Sequence, residues 1–248
     1  MKIPKLFVLT LILSGSVTLT LAGNPVKPTI HGAWQSITMQ KGAEVTRILL
    51  ISGDYFSWTE YGTASGEFLL TKGGRWQLAD DKLVLHFEFN TADTAMVGQS
   101  ESWLATMKEG QLHLHQNIAG KQITWENIDK GATTDLTGAW LMSGRERNGE
   151  ISRRDTNVPR KTMKILTGTR FQWIAYNTET KQFSGTGGGT YTAKDGVYTE
   201  NIKFFSRDNN RVGMSLEFKF DMRDGEWHHM GKSSAGEPMH EVWAQRDN

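Results

Sequence analysis

Four polar residues in the C-terminal half stand where an alternating pattern calls for apolar side chains. Tyr198, Glu200, Ile202 and Phe204 alternate with Thr199, Asn201 and Lys203. In an extended strand they share one face, and that face is the more apolar, so it should point inward. His229 falls on the face of Trp227, and Glu241 on the face of Met239 and Trp243. A tyrosine, two carboxylates and a histidine are thus directed into an apolar interior, where each costs several kcal/mol unless it finds a partner. One chemistry that suits them is a floor of hydrogen-bonding groups beneath aromatic walls from Trp173, Phe218, Trp227 and Trp243, which would orient a small, mainly apolar ligand. A second is an acid/base pair of Glu200 and His229, working in an isomerisation or a hydration if their surroundings push their pKa values apart. A third is no chemistry at all: a self-satisfied network that fixes the fold.

Other motifs carry less. Gly185-Thr186-Gly187-Gly188-Gly189 is glycine-rich, but no helix follows it and no lysine is placed as in a phosphate-cradling loop, so it reads as a tight hairpin or a bulge. His113 and His115 share a strand face opposite Leu112 and Leu114, which leaves both outside with no third metal ligand nearby. The chain has no cysteine, and no serine sits in a nucleophile-elbow context. No catalytic nucleophile, metal site or cofactor is expected.

The elements that must position the four residues come from an internal repeat. Gly32-Ala33-Trp34 returns as Gly138-Ala139-Trp140. Phe56 and Trp58 return 115 residues later as Phe171 and Trp173, Phe68 as Phe183, and Gly73-Gly74 as Gly188-Gly189. The copies span 29–128 and 135–246, joined by a short polar linker, 129–134. A charged stretch near 145–160 has no counterpart in the first copy and reads as a loop. Each copy alternates with period two, as in Leu83, Leu85, Phe87 and Phe89 or Leu216, Phe218 and Phe220, with glycine-bearing turns between runs. The fold class is all-β: two tandem small antiparallel up-and-down barrels of about eight strands each. The repeat also supplies a control. The counterparts of Tyr198, Glu200, His229 and Glu241 are Leu83, Leu85, Leu114 and Ile123. The scaffold therefore does not require the polar set. The first copy is not uniformly apolar either: Gln99 and Glu101 stand where the second has Met214 and Leu216.

The first 22 residues read as a signal peptide, with Lys2 and Lys5, an apolar run from Leu6 to Leu13 and small residues before a cleavage point after Ala22. Export to the periplasm or the cell exterior follows, with no stable membrane insertion after cleavage. Removing that segment takes two lysines from a net charge of +1, leaving a nearly neutral chain with no basic footprint for nucleic acid. Without disulfides, each barrel must be held by its own core, to which nine tryptophans and eleven phenylalanines contribute.

Several of these segments also carry a family resemblance. They are the Gly-Ala-Trp opening strand, the segment from Thr162 through Phe171-Gln172-Trp173, the Gly187-Gly188-Gly189-Thr190-Tyr191 turn, Tyr198-Thr199-Glu200 and the closing Glu241-Val242-Trp243. Together they resemble the uncharacterised lipocalin-like, calycin-type domain of bacterial secreted proteins, closely in the second copy and in outline in the first. The resemblance implies a small up-and-down barrel and no established activity. The expected function is an exported protein that holds a small apolar or amphipathic ligand in its second barrel. The alternatives are a structural or protein-interaction module of the cell envelope, and an acid/base enzyme using Glu200 and His229.

Overall fold

The computed structural model describes residue 1 and residues 29–116, 120–232 and 236–246. The expected signal peptide therefore lies outside the described residues, apart from Met1. Among those described, no helix is long and apolar enough to cross a membrane.

The first copy is a closed meander of β1 (Gly32–Gln40), β2 (Ala43–Ser52), β3 (Tyr55–Gly62), β4 (Phe68–Ala79), β5 (Lys82–Asn90), β6 (Ser100–Lys108), β7 (Gln111–Gln116) and β8 (Lys121–Asn127), in which β8 pairs back onto β1. The second copy contains β9 (Gly138–Arg147), β10 (Glu150–Arg153), β11 (Arg160–Leu166), β12 (Arg170–Asn177), β13 (Phe183–Lys194), β14 (Val197–Phe205), β15 (Ser215–Arg223), β16 (Glu226–Lys232) and β17 (Pro238–Gln245). Here β17 pairs with β9 to close an eight-stranded wall, and β10 hangs outside it on β9. The charged stretch expected to be a loop is therefore largely a hairpin. Asn148 and Gly149 turn it, both at positive φ (54° and 83°), as a two-residue hairpin connection demands.

The duplication reaches into the irregularities. The register slips at Glu60/Tyr61 and Gly73/Gly74 in the first barrel, and 115 residues later at Ala175/Tyr176 and Gly188/Gly189 in the second. At the second bulge the double glycine is sterically required. A Cβ on Gly74 would lie 2.2 Å from the His86 carbonyl oxygen, and one on Gly189 would lie 2.0 Å from that of Asn201. Trp34 and Trp140 are buried at matching ends, and each indole N–H donates to the carbonyl four residues earlier, of Ile30 and Leu136.

The barrels pack on each other through the sheet faces of β1–β5 and of β9 with β11–β14. Ile48, Leu50 and Phe89 of the first barrel form one apolar cluster with Met163, Ile165, Ile174 and Tyr176 of the second. The contacts are reciprocal, as an approximate twofold axis requires. Tyr61 stacks on Phe204 at 5.2 Å, and their counterparts Tyr176 and Phe89 pair at 4.8 Å. Phe68 stacks on its own counterpart Phe183 at 6.0 Å. On this seam the Gln172 amide donates to both Thr71 and its counterpart Thr186. Asp129, in the connector, accepts from the Ala33 amide of one barrel and from the amides of Gly168 and Thr169 of the other.

Candidate functional site

The alternation of β14, β16 and β17 places all four polar residues in the second barrel. Tyr198, Glu200, His229 and Glu241 are buried, none more than 6% exposed. They do not form one cluster of mutual hydrogen bonds. Tyr198 donates to Glu200 Oε1 at 2.9 Å. His229 and Glu241 are cross-strand partners, but their side chains stand 3.9 Å apart, an electrostatic contact rather than a hydrogen bond. The rings of Tyr198 and His229 lie edge to face at 5.4 Å and join the two pairs. The acid/base pairing of Glu200 with His229 is not made by a hydrogen bond, because Glu200 is engaged by Tyr198 and by a residue that sequence reasoning missed.

That residue is Lys164. Its ammonium donates to Glu200 Oε1 at 2.8 Å, with both side chains buried. It also stands over three aromatic rings, at 5.1 Å from the centre of Tyr198, 4.9 Å from Trp227 and 5.2 Å from Trp243. Arg145 was missed as well. From the stretch read as a loop it donates to Glu241 Oε1 at 2.5 Å, and its side chain is 43% exposed, so this bridge ties the buried carboxylate to the barrel surface. The repeat held a signal for Lys164, since its counterpart 115 residues earlier is Leu49, which is fully buried.

Phe218, Trp227 and Trp243 surround the group as expected. Phe218 meets the His229 ring at 4.2 Å, and Trp227 meets it at 5.2 Å. Trp173 packs against the margin of this cluster. It is half-buried, packs on Phe205 at 5.5 Å and lies beneath the Arg207 guanidinium.

The electrostatics follow from burial in a confined space. Burial and the nearby Lys164 ammonium push His229 down to about 4, so the ring is neutral at ordinary pH. Burial opposes ionisation of Glu241, but the His229 ring, Lys164 and Arg145 outweigh it and hold the carboxyl at about 2. The Tyr198 hydroxyl is driven well above its usual value by burial and by the Glu200 charge. The interior thus balances Lys164 and Arg145 against Glu200 and Glu241. It nevertheless leaves polar atoms without protein partners: both nitrogens of His229, the indole nitrogens of Trp227 and Trp243, and Nε of Arg145. Trp243 matches Trp125, whose indole nitrogen is also unpartnered, so that atom belongs to the fold. His229 and Trp227 replace Leu114 and Leu112 and are particular to the second barrel.

The first barrel is polar on a different wall. Glu101, opposite Leu85 on the neighbouring strand, points inward and binds Lys72 at 3.2 Å. In the second barrel the same cross-strand pair is Leu216 and Glu200, with the carboxylate on the other strand. Each barrel therefore carries one inward lysine–glutamate pair, built from positions that are not equivalent. Clefts of about 370 Å³ beside β10, about 580 Å³ between the barrels near Asp129, and about 580 Å³ beside β6 are open to the surface, and the four residues line none of them.

Residues 135–247 match a protein family described as a domain of unknown function, DUF4488. The match covers the second barrel with its polar interior and leaves out the first. No curated protein matches the chain. Two closed antiparallel barrels in tandem are compatible with a ligand-binding protein of the lipocalin-like kind.

Proposed function

We propose that this chain is an exported binding protein that holds a small, mainly apolar molecule in its second barrel. The ligand lies against Phe218, Trp227 and Trp243, and the polar groups orient it. The observation that carries this reading is the set of unpaired buried atoms on His229 and Trp227, at positions where the first barrel keeps leucine. An unpaired buried polar group costs about 1–3 kcal/mol. A network kept only for stability has no reason to leave both histidine nitrogens without partners, whereas a ligand with polar atoms supplies them. The Arg145–Glu241 bridge is the natural gate, being the part of the group that reaches solvent.

A structural role in the cell envelope is the second reading. It is favoured by the closed Tyr198–Glu200–Lys164 network and by an interior filled with the barrel's own side chains. Native mass spectrometry of the protein purified from its source separates the two. Binding predicts a retained non-covalent mass that is lost in the Lys164→Met/Glu200→Leu/His229→Leu variant, which leaves neither member of the buried ion pair alone, while the variant stays folded. A bare mass for the wild type, together with a variant that unfolds, would establish the structural role instead.

A further inference from the structure

The wall of the second barrel is split where that of the first is whole. In the first, the turn Lys41-Gly42 joins β1 to β2, and these strands pair without a break from Gly32↔Ile51 to Gln40↔Ala43. In the second, the equivalent β9 and β11 pair only from Gly138↔Leu166 to Leu141↔Met163. From Gly144 onward β9 pairs with β10 instead, and residues 160–162 of β11 pair with β12. The two strands therefore part as a fork, and residues 154–159 connect β10 back to β11 across it. The insertion particular to the second copy is what opens the wall. A cleft of about 370 Å³ lies in this fork, and Leu141, Met142 and Val158 give it apolar surface.

The charged residues that line this cleft are Arg154, Arg160 and Lys161 against a single acid, Asp155. No carboxylate among the described residues forms an ion pair with any of the three cations. The Arg154 guanidinium donates to the Met142 sulfur at 3.4 Å, a weak acceptor. The Lys161 ammonium donates to the carbonyl of Thr156, in the wall of the cleft, at 2.6 Å. One oxygen of Asp155 is taken by its own turn, where it accepts from the Asn157 amide at 2.7 Å. Three cations less one anion leave a positive excess, and the two arginines are short of good acceptors. Guanidinium groups bind oxyanions through paired N–H···O bonds. A carboxylate brings two oxygens and one charge. A phosphate monoester brings three oxygens and about −1.5 to −2 charges at neutral pH, which matches this excess better.

We infer that the fork between β9 and β11 is a binding site for a small, soluble phosphate monoester with an apolar body, its phosphoryl group held by Arg154, Arg160 and Lys161 and its body lying on Leu141, Met142 and Val158. The site is separate from the polar interior of the second barrel, since none of Tyr198, Glu200, His229 and Glu241 lines it, and it does not depend on any ligand there. At about 370 Å³ the cleft has the size of a small-molecule site.

The test uses the whole chain labelled with ¹³C on its methionine methyl groups and titrated with phenyl phosphate or phenol at fixed ionic strength. The Met142 resonance is assigned with Met142→Leu, a change of similar volume. Phenyl phosphate should move the Met142 signal along a saturable curve, and phenol should bind at least about tenfold more weakly. Arg154→Gln and Arg160→Gln, both at exposed positions, should each weaken phenyl phosphate by about tenfold, as loss of a charge-assisted contact does. Lys219→Gln, exposed on β15 of the same barrel, should leave the titration unchanged. Phosphatidylcholine vesicles that carry phosphatidic acid present the same group as a lipid headgroup, and they should sediment no more protein than plain phosphatidylcholine vesicles do. Any one of five results overturns the assignment: no saturable shift at Met142, equal binding of phenol, wild-type affinity in either arginine variant, an equal loss in Lys219→Gln, or retention by the phosphatidic acid vesicles.

Discussion

Replacing His229 with leucine should make the protein less sensitive to acid. In the folded chain, burial and the Lys164 ammonium hold this ring down to about 4 from an ordinary 6.5. Between those values the unfolded chain takes up a proton that the folded chain refuses, so stability rises with pH across that window and is fully present above it. As pH falls from 6.5 towards 4 that stability is lost, and below about 4 the loss levels off. At about pH 4.5 the contribution lost is about 2–3 kcal/mol. Glu241 acts in the same direction but lower, since its carboxyl falls from 4.5 to about 2, so work above about pH 4.5 largely isolates the histidine. His228 is also pushed down, chiefly by burial, but it is present in both proteins and cancels in the difference. Urea unfolding followed by tryptophan fluorescence, at about pH 7.5 and about pH 4.5, gives the comparison. Wild type should lose about 2–3 kcal/mol more than His229→Leu between the two conditions. If the two proteins lose stability in parallel, within about 0.5 kcal/mol, the ring is not held neutral by its surroundings and the electrostatic description of the interior is wrong.

Lys164→Met alone leaves the Glu200 charge buried without its cation and should cost about 3–5 kcal/mol in chemical denaturation. Adding Glu200→Leu, which restores an aliphatic pattern like that of Leu49 and Leu85, should recover most of that loss or exceed wild type. Trp34→Ala and Trp140→Ala should each cost about 3–5 kcal/mol, and a loss under about 1 kcal/mol would place them outside the cores. Asp129→Ala strips an acceptor from amides of both barrels and should cost at least about 2 kcal/mol, read as a lower urea midpoint for the whole chain.

How much of this was legible depended on what lies outside each strand. The outer faces of β14 and β16 carry mostly polar side chains, so their alternation is clean and parity directs Tyr198, Glu200 and His229 inward, while Glu241 is placed by sharing a face with Met239 and Trp243. β11 is different: Met163 and Ile165 face the other barrel while Lys164 faces the interior, so both of its faces are covered. A lysine between two apolar residues then looks like a solvent position, and only the matching Leu49 argues otherwise. Arg145 escaped notice because a charged, apolar-poor run resembles a loop. The Asn148-Gly149 dipeptide, which marks the hairpin, is a turn signal that was present and not used. The inward Glu101 was ambiguous for want of its partner: Lys72 lies 29 residues away on β4, and no local pattern links the two.

The approximate twofold between the barrels has one consequence that two separate subunits could not share. In a symmetric pair, each residue near the axis faces its own copy, so no side chain there can be present once. Gln172 is present once, and a single amide serves both Thr71 and Thr186, while the matching Ser57 is a buried hydroxyl with no protein partner. Because the halves belong to one chain, their association is a matter of effective concentration and survives any dilution. A substitution that weakens this seam should therefore release no monomer. It should give a looser, dumbbell-shaped chain with a larger radius of gyration and an unchanged mass.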